Sequence, residues 1–94
     1  SSLLKLGNIY ERMKQEHKAA LVYNEFVNQF DSKKDLHNLS VTELSTCYKY
    51  LAFYFYRQKR FEDAKVAARI CMFFKEGRDE IKDLLHKLEN SLVL

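Results

Sequence analysis

The sequence predicts an all-α fold made of repeated helix pairs. Two stretches of the chain match each other at a constant offset of 45 residues. The matching positions are Leu3/Tyr48, Leu6/Leu51, Gly7/Ala52, Tyr10/Phe55, Ala19/Ala64 and Tyr23/Ala68. The chain also has no proline and only two glycines among its 94 residues, which favours long helices with few sharp turns. Since the apolar positions recur at helical spacing, we expect helices and no sheet.

The first copy predicts two antiparallel helices, over residues 2–13 and 16–30. Gly7 is expected to be small because the second helix crosses the first there, and Ala19 is its small counterpart on that second helix. Leu6 and Tyr10 are expected to fill the crossing. Enlarging Ala19 should cost about 1–3 kcal/mol through overpacking.

The second copy predicts another helix pair after a polar linker at residues 31–40. Ser40 and Glu43 have the spacing of a capping box, which starts a helix at residue 41 that continues to about 58. This helix is longer than its equivalent in the first copy, and its partner covers residues 61–75. The packing residues of this pair are Leu51, Ala52, Phe55 and Ala64.

A fifth helix is predicted at the C-terminal end. Gly77 interrupts the chain, and Asp79 and Glu80 suit the electropositive start of a helix. One apolar stripe follows at helical spacing, formed by Ile81, Leu84, Leu85, Leu88 and Leu92. We expect it to cover the open end of the array as a capping helix. The domain boundaries are therefore a helix pair at 1–30, a linker at 31–40, a second pair at 41–76 and the capping helix at 77–94.

The two copies resemble tetratricopeptide (TPR) repeats, which have a bulky residue, a Leu-small pair, an aromatic and a later alanine at this spacing. The resemblance implies a short right-handed superhelical array. The usual repeat is about 34 residues long. The larger offset of 45 places an insertion between the second and third helices.

Composition and spacing argue against an enzyme and against a cofactor. Cys47 and Cys71 are the only thiols, and Cys71 lies in an apolar stretch typical of a core. The histidines His17, His37 and His86 have no metal-ligand spacing. The net charge of +3 is small and its cations alternate with acids, so we expect no nucleic-acid partner. The chain also lacks the run of roughly 18 apolar residues that a membrane span needs.

The predicted binding surface is the concave side of the array, which the first helix of each pair lines. The candidate partner-binding residues are Asn8, Glu11, Arg12, Lys49, Phe53, Tyr56 and Arg57. The second-copy residues combine aromatic area with cations, which suits a peptide with apolar anchors and an acidic group. An equally weighted alternative is that Phe53 and Tyr56 pack against neighbouring repeats.

Nearly the whole chain, residues 3–90, resembles one family more narrowly. The motifs that carry this resemblance are Leu51-Ala52-x-Tyr54-Phe55, Glu62-x-Ala64, Cys71-x-Phe73, Arg78-Asp79-Glu80 and Leu84-Leu85. These motifs, with the insertion before the last repeat, are similar to the subunit-eight family of TPR scaffolds in the anaphase-promoting complex, a cell-cycle ubiquitin ligase. The resemblance implies a non-catalytic scaffold of nucleus and cytoplasm that holds neighbouring subunits and docks short peptide motifs. It also implies homodimerisation through repeats outside this chain, which we expect to be a piece of a longer protein.

Two other readings of the repeat stay open. One is a chaperone adaptor, although the carboxylate clamp of such adaptors needs a lysine one turn before the asparagine, and Leu4 precedes Asn8 here. The other is an RNA-processing scaffold, which should show salt-dependent binding to single strands. Both would keep the helical-repeat fold and change the partner.

Overall fold

The computed structural model describes residues 2–29, 41–74 and 78–91. Its helices are α1 (Ser2–Arg12), α2 (Glu16–Gln29), α3 (Val41–Arg57), α4 (Phe61–Cys71) and α5 (Arg78–Ser91). Every regular element in these ranges is a helix, so the predicted all-α class is confirmed. The predicted linker, its Ser40 cap, Gly77 and Leu92 lie outside the described residues.

Helix α4 is shorter than the sequence predicted, because it ends at Cys71 and not near residue 75. The amide of Met72 still donates to the carbonyl of Ala68, at 3.1 Å. After that the pattern tightens: Phe73 donates to Ile70 and Phe74 to Cys71, each at 3.1 Å. This change from four-residue to three-residue spacing is the 3₁₀ turn that commonly closes an α-helix.

The chain divides into two compact units, Ser1–Ser40 and Val41–Leu94. In the first unit α1 packs along α2. Gly7 is the buried residue of α1, and it lies against the ring of Tyr23 from α2. Ala19 is fully buried, as expected for a small residue at a helix crossing.

Leu6 differs from its predicted role as a core residue of this crossing. Its side chain is 38% exposed, whereas Leu51 at the matching position is 2% exposed. The reason lies in the helix period, because Leu6 shares one side of α1 with the exposed residue Ile9. The side of α1 that carries Gly7 is the side that meets α2.

In the second unit α3 packs along α4 through a crossing of small residues. Ala52 of α3 and Ala64 and Ala68 of α4 are all fully buried. Helix α3 has 17 residues against 11 in α1, which confirms that it is the longer equivalent. Phe55, also predicted to fill the crossing, is half-buried, as is Tyr10 in the first unit.

Helix α5 packs mainly on α4 and touches α3. The predicted apolar stripe faces these helices, since Ile81, Leu84 and Leu88 are buried and Leu85 is half-buried. Its first turn contains the acidic residues Asp79 and Glu80, which stabilise the electropositive end of the helix. Within the second unit, α5 therefore covers one side of the helix pair.

A left-handed lysine closes the turn between α1 and α2. Lys14 has a φ of 58°. Its amide donates to the carbonyl of Glu11 at 3.0 Å, and the amide of Gln15 donates to Tyr10 at 2.9 Å. These two bonds form a Schellman motif, which satisfies the last carbonyls of a helix. The next helix starts at once, since Ala19 donates to the carbonyl of Gln15 at 3.0 Å.

The turn between α3 and α4 repeats this geometry 45 residues later. Lys59 has a φ of 62° and donates to Tyr56 at 3.0 Å. Arg60 donates to the carbonyl of Phe55 at 2.9 Å, and Ala64 donates to Arg60 at 3.0 Å. The internal repeat therefore extends from residue types to the individual hydrogen bonds of the backbone.

Candidate functional site

The predicted binding residues of the first unit lie on the last two turns of α1. Asn8, Glu11 and Arg12 are all exposed. Arg12 is in the final turn, where its positive charge complements the negative end of the helix dipole. These three side chains are therefore available on one segment of helix.

Tyr23 reaches from α2 to two of these residues. Its hydroxyl lies 2.6 Å from Asn8 Oδ1 and also donates to the carboxylate of Glu11. The ring itself is 1% exposed, so the hydroxyl is the end of a side chain fixed in the core. Consequently, α2 determines how Asn8 and Glu11 are oriented on the surface of α1.

In the second unit, Lys49 is held by the C-terminal helix. Its ammonium lies 2.8 Å from Glu80 Oε2 of α5, in an ion pair between half-buried and exposed side chains. A second pair connects α5 to the other helix of the unit, with Arg69 of α4 at 3.5 Å from Glu89 of α5. Lys49, which was predicted to bind an acidic group of a partner, is thus already paired with Glu80 of its own unit.

The aromatic residues of α3 are partly used by its own helix pair. Tyr56 meets Phe61, the first residue of α4, with ring centroids 5.8 Å apart and an interplanar angle of 62°. Phe53 is half-buried and Arg57, at the end of the helix, is exposed. Phe53 and Arg57 therefore offer apolar area and positive charge on one helix, one turn apart.

The repeated aromatic at the end of each first helix is covered by a cation. In the first unit Lys18 Nζ lies 5.8 Å from the centroid of the Tyr10 ring. In the second, Arg60 lies 4.7 Å from the centroid of the Phe55 ring. Arg60 also pairs with Asp63 at 2.8 Å. The cation that covers the repeated aromatic ring therefore comes from two different positions of the repeat, Lys18 in the first unit and Arg60 in the second.

The two thiols lie in the core of the second unit. Cys47 and Cys71 are free and fully buried. The sulfur of Cys71 lies 3.8 Å from the hydroxyl of Ser45 and donates to its carbonyl at 3.7 Å. Burial raises the pKa of the Cys71 thiol, which keeps it protonated and weakly nucleophilic. The prediction of Cys71 as a core residue is confirmed.

The described histidines, His17 and His86, are exposed. His86 Nε2 lies 2.9 Å from the side-chain nitrogen of Asn90, one turn along α5. Within residues 2–29, 41–74 and 78–91, no group of three His, Cys, Asp or Glu side chains could hold a metal ion. His37 is outside these ranges.

Three contacting residues were absent from the predicted site. From the sequence, Tyr23 is identified only as a matching position of the repeat and Glu80 only as an acidic residue at the start of a helix, and no prediction is made for Phe61. The sequence does contain a signal for Tyr23. The first copy has Gly7 and Tyr23 at the positions where the second copy has Ala52 and Ala68. The pairing of Glu80 with Lys49 had no local signal, since 31 residues separate them.

Comparison with known proteins adds no relative. No protein-family model matches this chain, and no curated protein does. Among the residues that the structure describes, no helix has both the length and the apolar character to cross a membrane.

Proposed function

We propose that this chain is a non-catalytic interaction module in which TPR-type helix pairs hold protein partners. The observation that carries the proposal is the turn repeated at Lys14 and Lys59, with the same backbone hydrogen bonds 45 residues apart. A repeated helix pair buries its own crossing and leaves the outer side of its first helix as surface. Such a surface is suited to binding extended segments of other proteins.

The side chains on those first helices suit this role. In the first unit they are the exposed polar residues Asn8, Glu11 and Arg12, and in the second the half-buried Phe53 beside the exposed Arg57. An aromatic side chain binds a partner through apolar contact area, while a neighbouring cation selects an acidic group. The proposed array is right-handed, with α5 as its capping helix.

We further propose that the assembly is the anaphase-promoting complex or one built like it. The support is the resemblance to the subunit-eight family, together with the position of its motifs. In that family a Cys-x-Phe motif is expected at the end of a repeat's second helix and an Arg-acid-acid motif at the start of the final helix. Here Cys71 is the last residue of α4 and Arg78 the first of α5. The partners would be neighbouring ligase subunits and short peptide motifs, in nucleus and cytoplasm, with dimerisation through other repeats.

Affinity capture from a mitotic-cell extract tests both levels of the proposal. The 94-residue chain is the bait, and mass spectrometry identifies the bound proteins. We expect several ligase subunits, and we expect Phe53→Ala to reduce their recovery. Phe53 is preferred to Tyr56 as the test position because Tyr56 also packs on Phe61.

Val66→Ala is the matched control, because Val66 is a 57% exposed apolar residue of α4 that lies outside the candidate surface. It should leave recovery unchanged. Capture of chaperones or RNA-processing factors in place of ligase subunits would retain the interaction module and reject the ligase. If Phe53→Ala reduced the recovery of no captured protein, the interaction module would be rejected.

A further inference from the structure

An exposed apolar row runs along one side of α1. Leu6 and Ile9 are 38% and 47% exposed, and Met13, which directly follows the helix, is 57% exposed. The amide of Met13 still donates to the carbonyl of Ile9 at 3.0 Å, so the helical spacing extends to this residue. Residues at i, i+3 and i+7 share one side of a helix. Leu6, Ile9 and Met13 therefore form one stripe, called here the α1 stripe.

The α1 stripe is narrow, which bears on what could cover it. Another side of the helix, marked by Gly7, is already packed on Tyr23 of α2. A single row with alternating spacings of three and four is the pattern of a seam between two paired helices. A helix that lies in a membrane surface buries a broad apolar face in the lipid. The spacing therefore favours a second helix over a lipid surface.

Positive charge borders the α1 stripe on both sides. Lys5 and Arg12 are exposed, and each immediately precedes a residue of the stripe. Because they are seven residues apart, they lie on the same edge of it. Within the described residues neither of them pairs with an acidic side chain. On the other edge Lys18 of α2 lies 5.8 Å from the centroid of the Tyr10 ring.

No acid of α1 offsets these cations at the stripe. Glu11 is the only acidic residue of the helix. It follows Ile9 by two positions, which at about 100° per residue places it on the opposite side. Its carboxylate also accepts a hydrogen bond from the Tyr23 hydroxyl. The stripe thus presents apolar area within a positive border.

We propose that the α1 stripe docks an amphipathic helix of a partner protein whose apolar row is flanked by Asp or Glu. The inference rests on the proposed function and adds a second surface to it, on a different side of α1 from Asn8 and Glu11. In paired helices the apolar rows form the seam, and the flanking charges determine which partner binds. Acidic flanks would meet Lys5 and Arg12, whereas basic flanks would be repelled.

The second unit does not present this stripe, although it repeats the helix pair. The matching positions are Leu51, Tyr54 and Gln58. Leu51 is 2% exposed and Tyr54 is half-buried, while Gln58 is polar. The two first helices would therefore meet different parts of a partner, a helix at α1 and an extended segment at α3.

Two synthetic helical peptides of about three heptads supply the probes. They share one apolar row and differ only in the residues that flank it, which are all Glu in one peptide and all Lys in the other. Fluorescence anisotropy measures the affinity of each labelled peptide for the 94-residue chain. We expect the Glu peptide to bind about tenfold tighter at low ionic strength, since favourable contacts replace repulsive ones. The difference should shrink in about 1 M salt, which screens exposed charges.

Three variants connect that preference to the α1 stripe. Ile9→Gln keeps a helix-forming residue and removes apolar area, so it should weaken the Glu peptide by about tenfold. Lys5→Glu should bring the two affinities close to each other, and it is preferred to a change at Arg12 because Arg12 also belongs to the candidate surface. Leu21→Gln is the matched control, because Leu21 is a 70% exposed apolar residue of α2 outside the stripe. It should change neither affinity.

Equal affinity for the two peptides, binding of neither, or an unchanged affinity in Ile9→Gln would each overturn the inference. If the chain bound neither peptide but sedimented with phosphatidylserine vesicles, and Ile9→Gln abolished that sedimentation, the stripe would belong to a membrane surface. The proposed function is tested separately, through the capture experiment and its dependence on Phe53. Capture that depends on Phe53, together with equal affinity for the two peptides, would retain the interaction module and reject the helix-docking stripe.

Discussion

Gly7 and Tyr23 fit each other so closely that a side chain at Gly7 has no room. A Cβ atom built there would lie 2.8 Å from both Cδ1 and Cζ of the tyrosine ring. In the second unit the matching pair is Ala52 and Ala68, both fully buried. The same helix crossing is therefore filled in two ways, by a glycine with a large ring or by two small residues.

We expect Gly7→Ala to destabilise the first unit, although alanine is the better helix former. Alanine in a helix gains about 1 kcal/mol over glycine. Overpacking a close core contact costs roughly 1–3 kcal/mol. The ring of Tyr23 is buried and cannot move aside freely, so the clash should dominate. Denaturant unfolding followed by circular dichroism measures the result.

The double variant Gly7→Ala, Tyr23→Ala tests the cause, since it recreates the pair found at Ala52 and Ala68. Tyr23→Ala alone leaves a cavity and should cost roughly 3–5 kcal/mol, by analogy with other large aromatic truncations. The double variant should lose less stability than the sum of the two single ones. Simple additivity would show that the two positions do not share this contact.

Replacing either left-handed lysine by glycine should stabilise the chain. Lys14 and Lys59 have positive φ values, and this conformation costs a side-chain-bearing residue about 1–2 kcal/mol. Glycine avoids most of that penalty but loses more entropy on folding, so the expected net gain is roughly 0.5–1 kcal/mol per site. Thermal unfolding of Lys14→Gly, Lys59→Gly and the double variant measures it. Lys14→Ala and Lys59→Ala are the controls, and a gain as large as that of glycine would contradict the backbone explanation.

The docking of α5 should depend on its apolar stripe and hardly on its ion pairs. Leu88 is fully buried, and Leu88→Ala should cost about 2–5 kcal/mol. The pair between Lys49 and Glu80 is largely solvated, so Glu80→Gln should cost less than about 1 kcal/mol. Hydrogen exchange of the α5 amides compares the two variants. Similar losses of protection in both would contradict this ranking.

Stability of the second unit should fall at alkaline pH. Burial raises the pKa of the Cys71 thiol, and burial followed by the nearby Cys47 raises the pKa of the Tyr48 phenol. A raised folded-state pKa means that the protonated form is favoured by folding. The contribution is therefore complete below the unfolded-state pKa, about 8.5 for a thiol and 10 for a phenol, and is lost as the pH rises through the higher folded-state value.

Denaturant unfolding between neutral and alkaline pH provides the measurement. Cys71→Ala and Tyr48→Phe should each show a shallower decline than the wild-type chain, because each removes one of the groups that titrate. The thiol should also react with a thiol reagent only as the protein unfolds. Rapid labelling of the folded protein at Cys71 would contradict its described burial.

Much of the fold could be predicted because its causes lie close together along the chain. The start and end of α1, α2 and α3 agree with the predicted bounds to within one residue. Helical periodicity and small residues at Ala19, Ala52 and Ala64 depend on local spacing alone. The end of α4 was predicted wrongly, because the apolar run Met72-Phe73-Phe74 continues past the last α-helical turn.

The sequence by itself determined the helix pairs and their repetition at an offset of 45 residues. Tertiary structure alone decided which side chains are already engaged. Tyr23 holds Asn8 and Glu11 from another helix, and Glu80 holds Lys49 from 31 residues away. Periodicity records which side of a helix a residue occupies, whereas hydrogen bonds and ion pairs depend on which atoms two packed helices bring within about 3 Å of each other.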